Sequence, residues 1–438
     1  MSSPVDPRPP RREVRRPVTL AVVGAGGRGT GYARWAREHP DRARVVAVAE
    51  PRDVRRERFA AEHSIPPENV FADWESLASR PRIADAVLVC TQDQMHTEPV
   101  LALTKLGYHV MVEKPMAPTE AECRQIVAAA EAAGVVFAVG HVMRYTPYTR
   151  ALKEVVDSGV LGDIVSVQHL EPVGFWHQAH SYVRGNWRRE DESSFMLMAK
   201  SCHDIDWLQY VLGEPPTKVS SFGRLSHFRP ENRPAGAADR CLDCSVESTC
   251  PYSAKRFYFD RLVQGNTGWP VDVLVDEYTA DALGEALRTG PYGRCVYACD
   301  NDVVDHQVVN MEFASGATGV FTMTAFTEQG DRQTKLFGSH GQLVGDGETI
   351  DVYDFLTGTH RTVEPATTGD MTAGGGHGGG DAGLMDAFVA AVAAGDSARV
   401  SSGPRDSLTS HLTVFAAERA RRQGTVEPVP PPLDLITG

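Results

Sequence analysis

Over the first third of the chain, short apolar runs alternate with helix-like segments. The runs fall at 18–23, 44–49, 85–91, 109–112 and 135–139, an order that predicts a parallel α/β sheet. One intervening helix is fully punctuated. Thr119 can cap its N-terminus, Glu122 completes a capping box, Ile126, Val127 and Ala130 form the apolar stripe, and Gly134 ends it. A first domain is therefore expected over 18–140. Beyond it the runs lengthen and alternate, from Ile164 to Leu170, and from Val308 to Phe313 joined through Ser315-Gly316 to Thr318–Phe326. These predict antiparallel hairpins in an open sheet. A second domain over 141–438 would hold that sheet, with a turn-rich, cysteine-bearing insertion at about 225–300, a helix from Ile205 to Leu212, and a Gly-rich loop, Gly374 to Gly380, before a helix at Leu384 to Ala394.

The glycines add chemistry to this frame. Val18 to Gly29 reads VTLAVVGAGGRG, a β-branched run that turns at Gly24-x-Gly26-x-x-Gly29 into a helix. Gly24 permits the sharp turn, Gly26 lets the backbone approach a pyrophosphate, and Gly29 lets the helix pack against the strand, with the helix N-terminus facing the anion. Glu50 ends the second strand where a carboxylate would take the adenosine ribose hydroxyls, which favours NAD. Arg52 and Arg55 follow closely enough to grip a 2′-phosphate, so NADP stays open, as does a plain solvated helix start for both arginines.

Composition narrows the partners. With 438 residues, 42% hydrophobic and 23% charged, the chain suits two domains with substantial cores, and its net charge of −13 argues against nucleic acid or an anionic membrane. Residues 1–17, with five arginines and five prolines, form a basic tail expected to be disordered. Arg15-Arg16 precedes the first strand without a cleavage-site pattern, so the expected location is cytoplasmic. No run approaches the roughly 18 apolar residues of a membrane span.

Five of the eight cysteines cluster as Cys241-x2-Cys244-x5-Cys250, Cys295 and Cys299. That spacing in a cytosolic chain predicts a structural Zn²⁺ on Cys241, Cys244, Cys250 and Cys295, which would fold an insertion too small to own a core. Cys299 is the alternative fourth ligand, and an iron–sulfur cluster or free cysteines are the other readings.

Glu113-Lys114-Pro115 after a buried strand, with Asn186-Trp187-Arg188 ahead of Lys200-Ser-Cys-His203-Asp-Ile-Asp206, resembles the glucose–fructose oxidoreductase/inositol dehydrogenase/MocA (Gfo/Idh/MocA) family from about residue 18 to 425. The resemblance implies a Rossmann domain followed by an α+β domain on a large, mostly antiparallel open sheet, often used to build homodimers or homotetramers. It also implies NAD(P)-dependent chemistry on a secondary alcohol of a sugar or cyclic polyol. Lys114 matches the family lysine, and an ammonium at the C-terminal end of a parallel strand also faces the ligand crevice on physical grounds. A salt bridge to Glu113 is the plainer alternative. His203 matches the family histidine as a proton-transfer group. Where the family commonly has Asp, four residues before it, this chain has Ala199, so a Lys200/His203 pair at i, i+3 is expected to stand in.

The expected cofactor contacts are Gly24, Gly26, Gly27, Arg28, Gly29, Glu50, Arg52, Thr91, His96, Glu113, Lys114, Trp187 and Arg188. Thr91 and His96 follow the third predicted strand, and Trp187-Arg188 resembles a family segment near the cofactor carboxamide. Substrate contacts are assigned to Arg144, Tyr145, His306 and His377, although Arg144 could equally bridge domains. The polar string Asp300-Asn301-Asp302-x-x-Asp305-His306 could line a sugar site. A rival reading is a glycoside hydrolase that uses NAD⁺ transiently, with oxidation at C3, elimination, water addition and re-reduction. Gly26-Gly27-Arg28-Gly29 and Ala199 are compatible with it. A non-enzymatic sugar or NAD sensor would be expected to lack Lys114 or His203.

Overall fold

The computed structural model describes residues 16–366 and 376–431, so most of the basic tail, and Gly374 and Gly375 of the Gly-rich loop, lie outside the described residues. Six parallel strands form the first sheet: β1 (Val18–Val23), β2 (Ala43–Ala49), β3 (Val70–Phe71), β4 (Ala86–Val89), β5 (His109–Val112) and β6 (Phe137–Val139). Their order is β3-β2-β1-β4-β5-β6, so the strand order reverses between β1 and β4. In such sheets ligands sit outside the carboxyl ends at that reversal. Helix α1 (Gly27–Glu38) leaves β1 there. Helix α2 (Glu120–Ala133) starts on Thr119, whose hydroxyl accepts from Glu122 N, and stops at the left-handed Gly134, φ +61°.

The second sheet has nine strands: β7 (Ile164–Pro172), β8 (Pro216–Arg224), β9 (His306–Phe313), β10 (Thr318–Thr324), β11 (Gln333–Gly338), β12 (Gly341–Gly345), β13 (Ile350–Asp354), β14 (Thr359–Val363) and β15 (Val426–Pro428). They run in the order β14-β13-β12-β11-β7-β10-β9-β8-β15. Only β7 and β10 pair in parallel, and every other neighbour is antiparallel. One face is covered by α3 (Cys202–Leu212) and, near the chain's end, a long helix, so that Val167, Val309, Phe321 and Leu336 are buried beneath them. The other face is open. Phe222 on β8 and Val344 on β12 are exposed, with Leu170, Val320 and Phe337 half-buried on the strands between.

The last two helices return to the first sheet. Leu384, Met385 and Phe388 of α4 (Gly380–Ala394) share a core with Leu20, Val22 and Tyr32. In α5 (Pro404–Gln423), His411 Nε2 accepts from Met116 N at 2.9 Å, and just before the helix Ser402 O accepts from Val139 N. Among the described residues no helix is long and apolar enough to cross a membrane.

Candidate active site

The glycine turn has the shape its spacing predicts. Gly24 sits at φ +90°, and a Cβ there would lie 2.7 Å from Cys90 O. A Cβ on Gly29 would lie 2.1 Å from Gly24 O, so neither position admits a side chain. At Gly26 nothing stands within 4 Å of the Cβ position, which leaves the open cradle a pyrophosphate needs. Glu50 is buried and accepts from Ala25 N at 2.8 Å and Arg52 N at 3.1 Å. Arg52 leans on that carboxylate, 3.3 Å away, while Arg55 reaches Asp276 of the insertion at 4.0 Å. These residues fit NAD. Replacing Glu50 by Gln keeps an acceptor for Ala25 N but removes the charge facing the ribose. NADH should then bind about tenfold more weakly and the NADH-over-NADPH preference should shrink, since hydrogen bonds to charged groups contribute about 1.5–3 kcal/mol. Nucleotide fluorescence titration reads this directly, and an unchanged preference would exclude Glu50 from the ribose site.

At the end of β5, Glu113 is locked in place. Its Oε1 accepts from Arg28 Nε at 2.8 Å and Tyr32 Oη at 2.6 Å, and Oε2 accepts from Lys114 N. Burial would raise this carboxyl, but Arg28 overrides it and holds it below the ordinary range. Arg28 also donates to both oxygens of Asp381, at 2.7 and 2.9 Å. With its acidic neighbour committed, the Lys114 ammonium turns to Ala199 O, 2.8 Å away across the cleft. The His203 ring lies 5.9 Å from the His141 ring and 6.0 Å from the His377 ring. Burial, then the charge of Lys114, holds His203 neutral, and its buried Nδ1 has no hydrogen-bond partner among the described residues. His377 is oriented by Asp381 at 2.8 Å.

The expected Lys200/His203 pair does not form. The backbone breaks at Ser201 between a short turn of helix, Met196–Ala199, and α3, so the i, i+3 geometry is lost. Lys200 instead binds Glu171 Oε1 at 2.8 Å, and Arg332 Nε bridges Glu171 Oε2 at 2.8 Å and Asp204 Oδ1 at 2.7 Å.

A glycine-rich turn at the head of a parallel sheet is now in view, with Lys114 bonded to Ala199 O and acting on the charge of His203, and whole-domain comparison agrees with the fold. The Gfo/Idh/MocA models match twice: the oxidoreductase family's NAD-binding Rossmann fold over residues 18–141, and its C-terminal alpha/beta domain over 153–430. The chain belongs to the Gfo/Idh/MocA oxidoreductase family. The chain is 31% identical over 214 residues to 2,7-anhydro-N-acetylneuraminate hydratase of Escherichia coli, covering 49% of this chain and 55% of that one. It is 37% identical over 202 residues to inositol 2-dehydrogenase of Pseudomonas savastanoi, covering 46% and 56%. It thus spans little more than half the length of these curated relatives. An Agrobacterium radiobacter oxidoreductase solved with NAD⁺, L-tartaric acid and magnesium shares the fold at TM-score 0.68 and 14% identity, over 94% of this chain and 98% of that one.

Within this family member several expected contacts have other partners. The Arg28 side chain is committed to Glu113 and Asp381, so phosphate contact there falls to backbone amides. Arg144 forks onto Asp206, 2.7 Å to each oxygen, and also bonds Ser401 O, while Tyr145 bonds Ser402 Oγ at 2.8 Å. Both tie the halves together rather than facing the cleft. The Thr91 hydroxyl donates to Met95 O. His96 is buried between Pro115 O at 2.8 Å and Thr91 O at 3.1 Å, bracing the turn that carries Lys114. Trp187 Nε1 donates to Asp93 at 3.3 Å, whereas Arg188 forms surface pairs with Asp300 and Glu192. His306 is half-exposed on Asp305, whose buried carboxylate accepts from Ser226 N and His227 N. The polar string therefore fastens the insertion, because backbone amides satisfy a buried carboxylate as well as a sugar would.

The zinc expectation is also corrected. Cys241, Cys244, Cys250 and Cys295 line one small cavity, but Arg184 enters it and donates to Cys241 Sγ at 3.5 Å. Among the described residues no group of three or more His, Cys, Asp or Glu side chains is arranged to hold a metal ion. The premise of a coreless insertion fails, since Ala254, Tyr258, Val271, Leu283 and Leu287 are fully buried against one another.

Residues not anticipated at the site are Glu171, Arg332, Asp381, His141 and His177. Glu171 had a signal: it falls in the buried phase of β7, four residues after Val167 and two after His169. An acid on the core side of an alternating strand needs a cationic partner.

Proposed function

We propose that this chain is an NAD-dependent oxidoreductase acting on a secondary alcohol of a sugar or cyclic polyol. The observation that carries the reading is Lys114 Nζ, held off Glu113 and aimed across the cleft at Ala199 O beside the neutral His203 ring. NAD bound along the Gly24–Gly29 turn would supply the hydride acceptor or donor. Lys114 orients the reacting hydroxyl by hydrogen bonding, and the neutral His203 ring accepts the proton released from it. Ala199 offers only a carbonyl where the family commonly has Asp, so proton transfer rests on these two side chains. The inositol 2-dehydrogenase relative supports a cyclic polyol or sugar as substrate. The open face of the nine-stranded sheet, with Phe222 and Val344 exposed, suits a homodimer or homotetramer, which light scattering would measure.

A second reading, redox-neutral elimination or hydration with the substrate oxidised and re-reduced within one turnover, is favoured by the 31% identity to a hydratase. Absorbance at 340 nm with a panel of sugars, polyols and nitrophenyl glycosides separates the two. Lasting growth over many turnovers with added NAD⁺ is expected. Nitrophenol release or substrate loss without a lasting signal would replace the dehydrogenase reading with the redox-neutral one.

A further inference from the structure

After β7 the chain forms a short helical turn, Phe175–His177, and then a π-helix, Gln178–Arg184. Segments of π-helix concentrate at functional sites because the widened turn re-aims side chains. Here one side of the π-helix is bolted to the insertion. His180 Nδ1 lies 2.6 Å from Tyr258 Oη and its ring stacks on Tyr292 at 4.8 Å, while Arg184 donates to Arg294 O and Tyr252 O, each at 2.7 Å.

The insertion also sends Trp269 against three rings: His177 at 5.0 Å and nearly perpendicular, Trp176 at 5.4 Å and His180 at 5.5 Å. His177 follows Glu171, the carboxylate that holds Lys200, by six residues, and burial together with Lys200, His180, Lys114 and Arg332 keeps it neutral. Its Nδ1 is buried and has no hydrogen-bond partner among the described residues. A half-buried indole face next to an unpartnered imidazole nitrogen, on the Lys114–Lys200 side of the cleft, offers what a saturated ring with equatorial hydroxyls needs: a π surface for its C–H face and a polar atom for a hydroxyl.

We propose that Trp269 and His177 form a substrate subsite, in which the indole stacks on the C–H face of a pyranose or cyclitol and His177 Nδ1 bonds a ring hydroxyl. The insertion is then the element that selects cyclic substrates. This rests on the Lys114-centred reading given above.

The test compares the full-length enzyme with Trp269→Ala, Trp269→Phe and His177→Asn, using myo-inositol and D-glucose as cyclic probes and D-glucitol as an acyclic one. Trp269→Ala should raise KM for the cyclic substrate about tenfold, in line with the worth of an aromatic contact, with kcat falling less than threefold. NADH affinity should stay within twofold, D-glucitol should be affected little, and Trp269→Phe should recover most of the loss. An unchanged KM, or an equal loss for D-glucitol, would overturn the proposal, and so would a Trp269→Phe enzyme no better than a misfolded Trp269→Ala. If wild type reduces no NAD⁺ with any probe, calorimetric binding of the same probes to the NADH-loaded protein decides the subsite separately from the dehydrogenase reading. Ring-selective binding lost in Trp269→Ala would keep it, and no binding or equal binding would end it.

Discussion

Replacing Lys114 by Met lowers kcat/KM by about 10²- to 10⁴-fold, the usual range for removing a positioned proton-transfer group. The loss should fall mainly on kcat, while NADH affinity stays within a few-fold and the melting temperature barely moves. The geometry separates these readouts. The Nζ atom makes one hydrogen bond, to Ala199 O, and no ion pair with Glu113, whose oxygens are taken by Arg28, Tyr32 and a backbone amide. Met fills a similar volume without the charge. Losing the charge also removes one influence that holds His203 neutral, so the residual activity should show an altered pH profile. Pre-steady-state absorbance at 340 nm distinguishes chemistry from product release. A variant that keeps wild-type kcat would remove Lys114 from the reaction.

Acidification from pH 7 to 5 costs this protein on the order of 6 kcal/mol of folding stability through three of its buried histidines alone, about 1.4 kcal/mol per pH unit for each below the unfolded value near 6.5, and the neutral His177 and His203 add to the loss. Burial, opposed by Asp206, pushes His141 down to about 3, burial with Arg184 brings His180 to about 3, and burial brings His411 to about 4. A histidine with a depressed folded pKa leaves the unfolded chain binding more protons between the two values. Stability is therefore full above pH 6.5 and falls as pH drops towards 4. Carboxylates held low do not offset the loss in that window, whereas Asp272 and Asp406, which burial pushes upward, return a part of it. At Asp206 burial pulls upward and Arg144 overrides it, holding the carboxyl below its usual range, so its contribution persists above about pH 4 and fades only under stronger acid. Urea unfolding at pH 7 and pH 5 measures the difference, and equal midpoints would mean that these histidines are solvated.

The Rossmann half was legible because its strands are short β-branched runs buried on both faces and its turn requires glycine. Only β3 escaped, two residues being too few to show a period. In the second sheet, alternation exposed β7, β9 and β10, but pairing order depends on contacts between distant strands, and the parallel β7–β10 pair leaves no local mark. At the site, motif and position singled out Lys114, His203 and His377, and the fold brings His377 within 6.0 Å of the His203 ring. The Ser201 break was not legible, because helical spacing assumes an unbroken backbone. Arg144 took the domain-bridging alternative held open for it, while His306 and the aspartate string have partners that the sequence does not show. Polar residues in apolar surroundings announce that they need partners, and they do not say whether the partner is a ligand, a carboxylate or a backbone amide. The insertion's core was missed because turn residues masked two short helices, Ala254–Val263 with Tyr258 and Ala280–Thr289 with Leu283 and Leu287 at i, i+4.

Because α4 and α5 complete the first sheet, the nucleotide-binding half is not contiguous in time during synthesis. A ribosome has made residues 18–141 long before Leu384 and Phe388 exist to cover Leu20 and Val22, or His411 to receive the Met116 amide. Nascent chains of this length fold from the N-terminus. Here the emerging first half must wait, partly uncovered, until residues 384–411 have followed it out. That delay makes it the segment on which a chaperone would act.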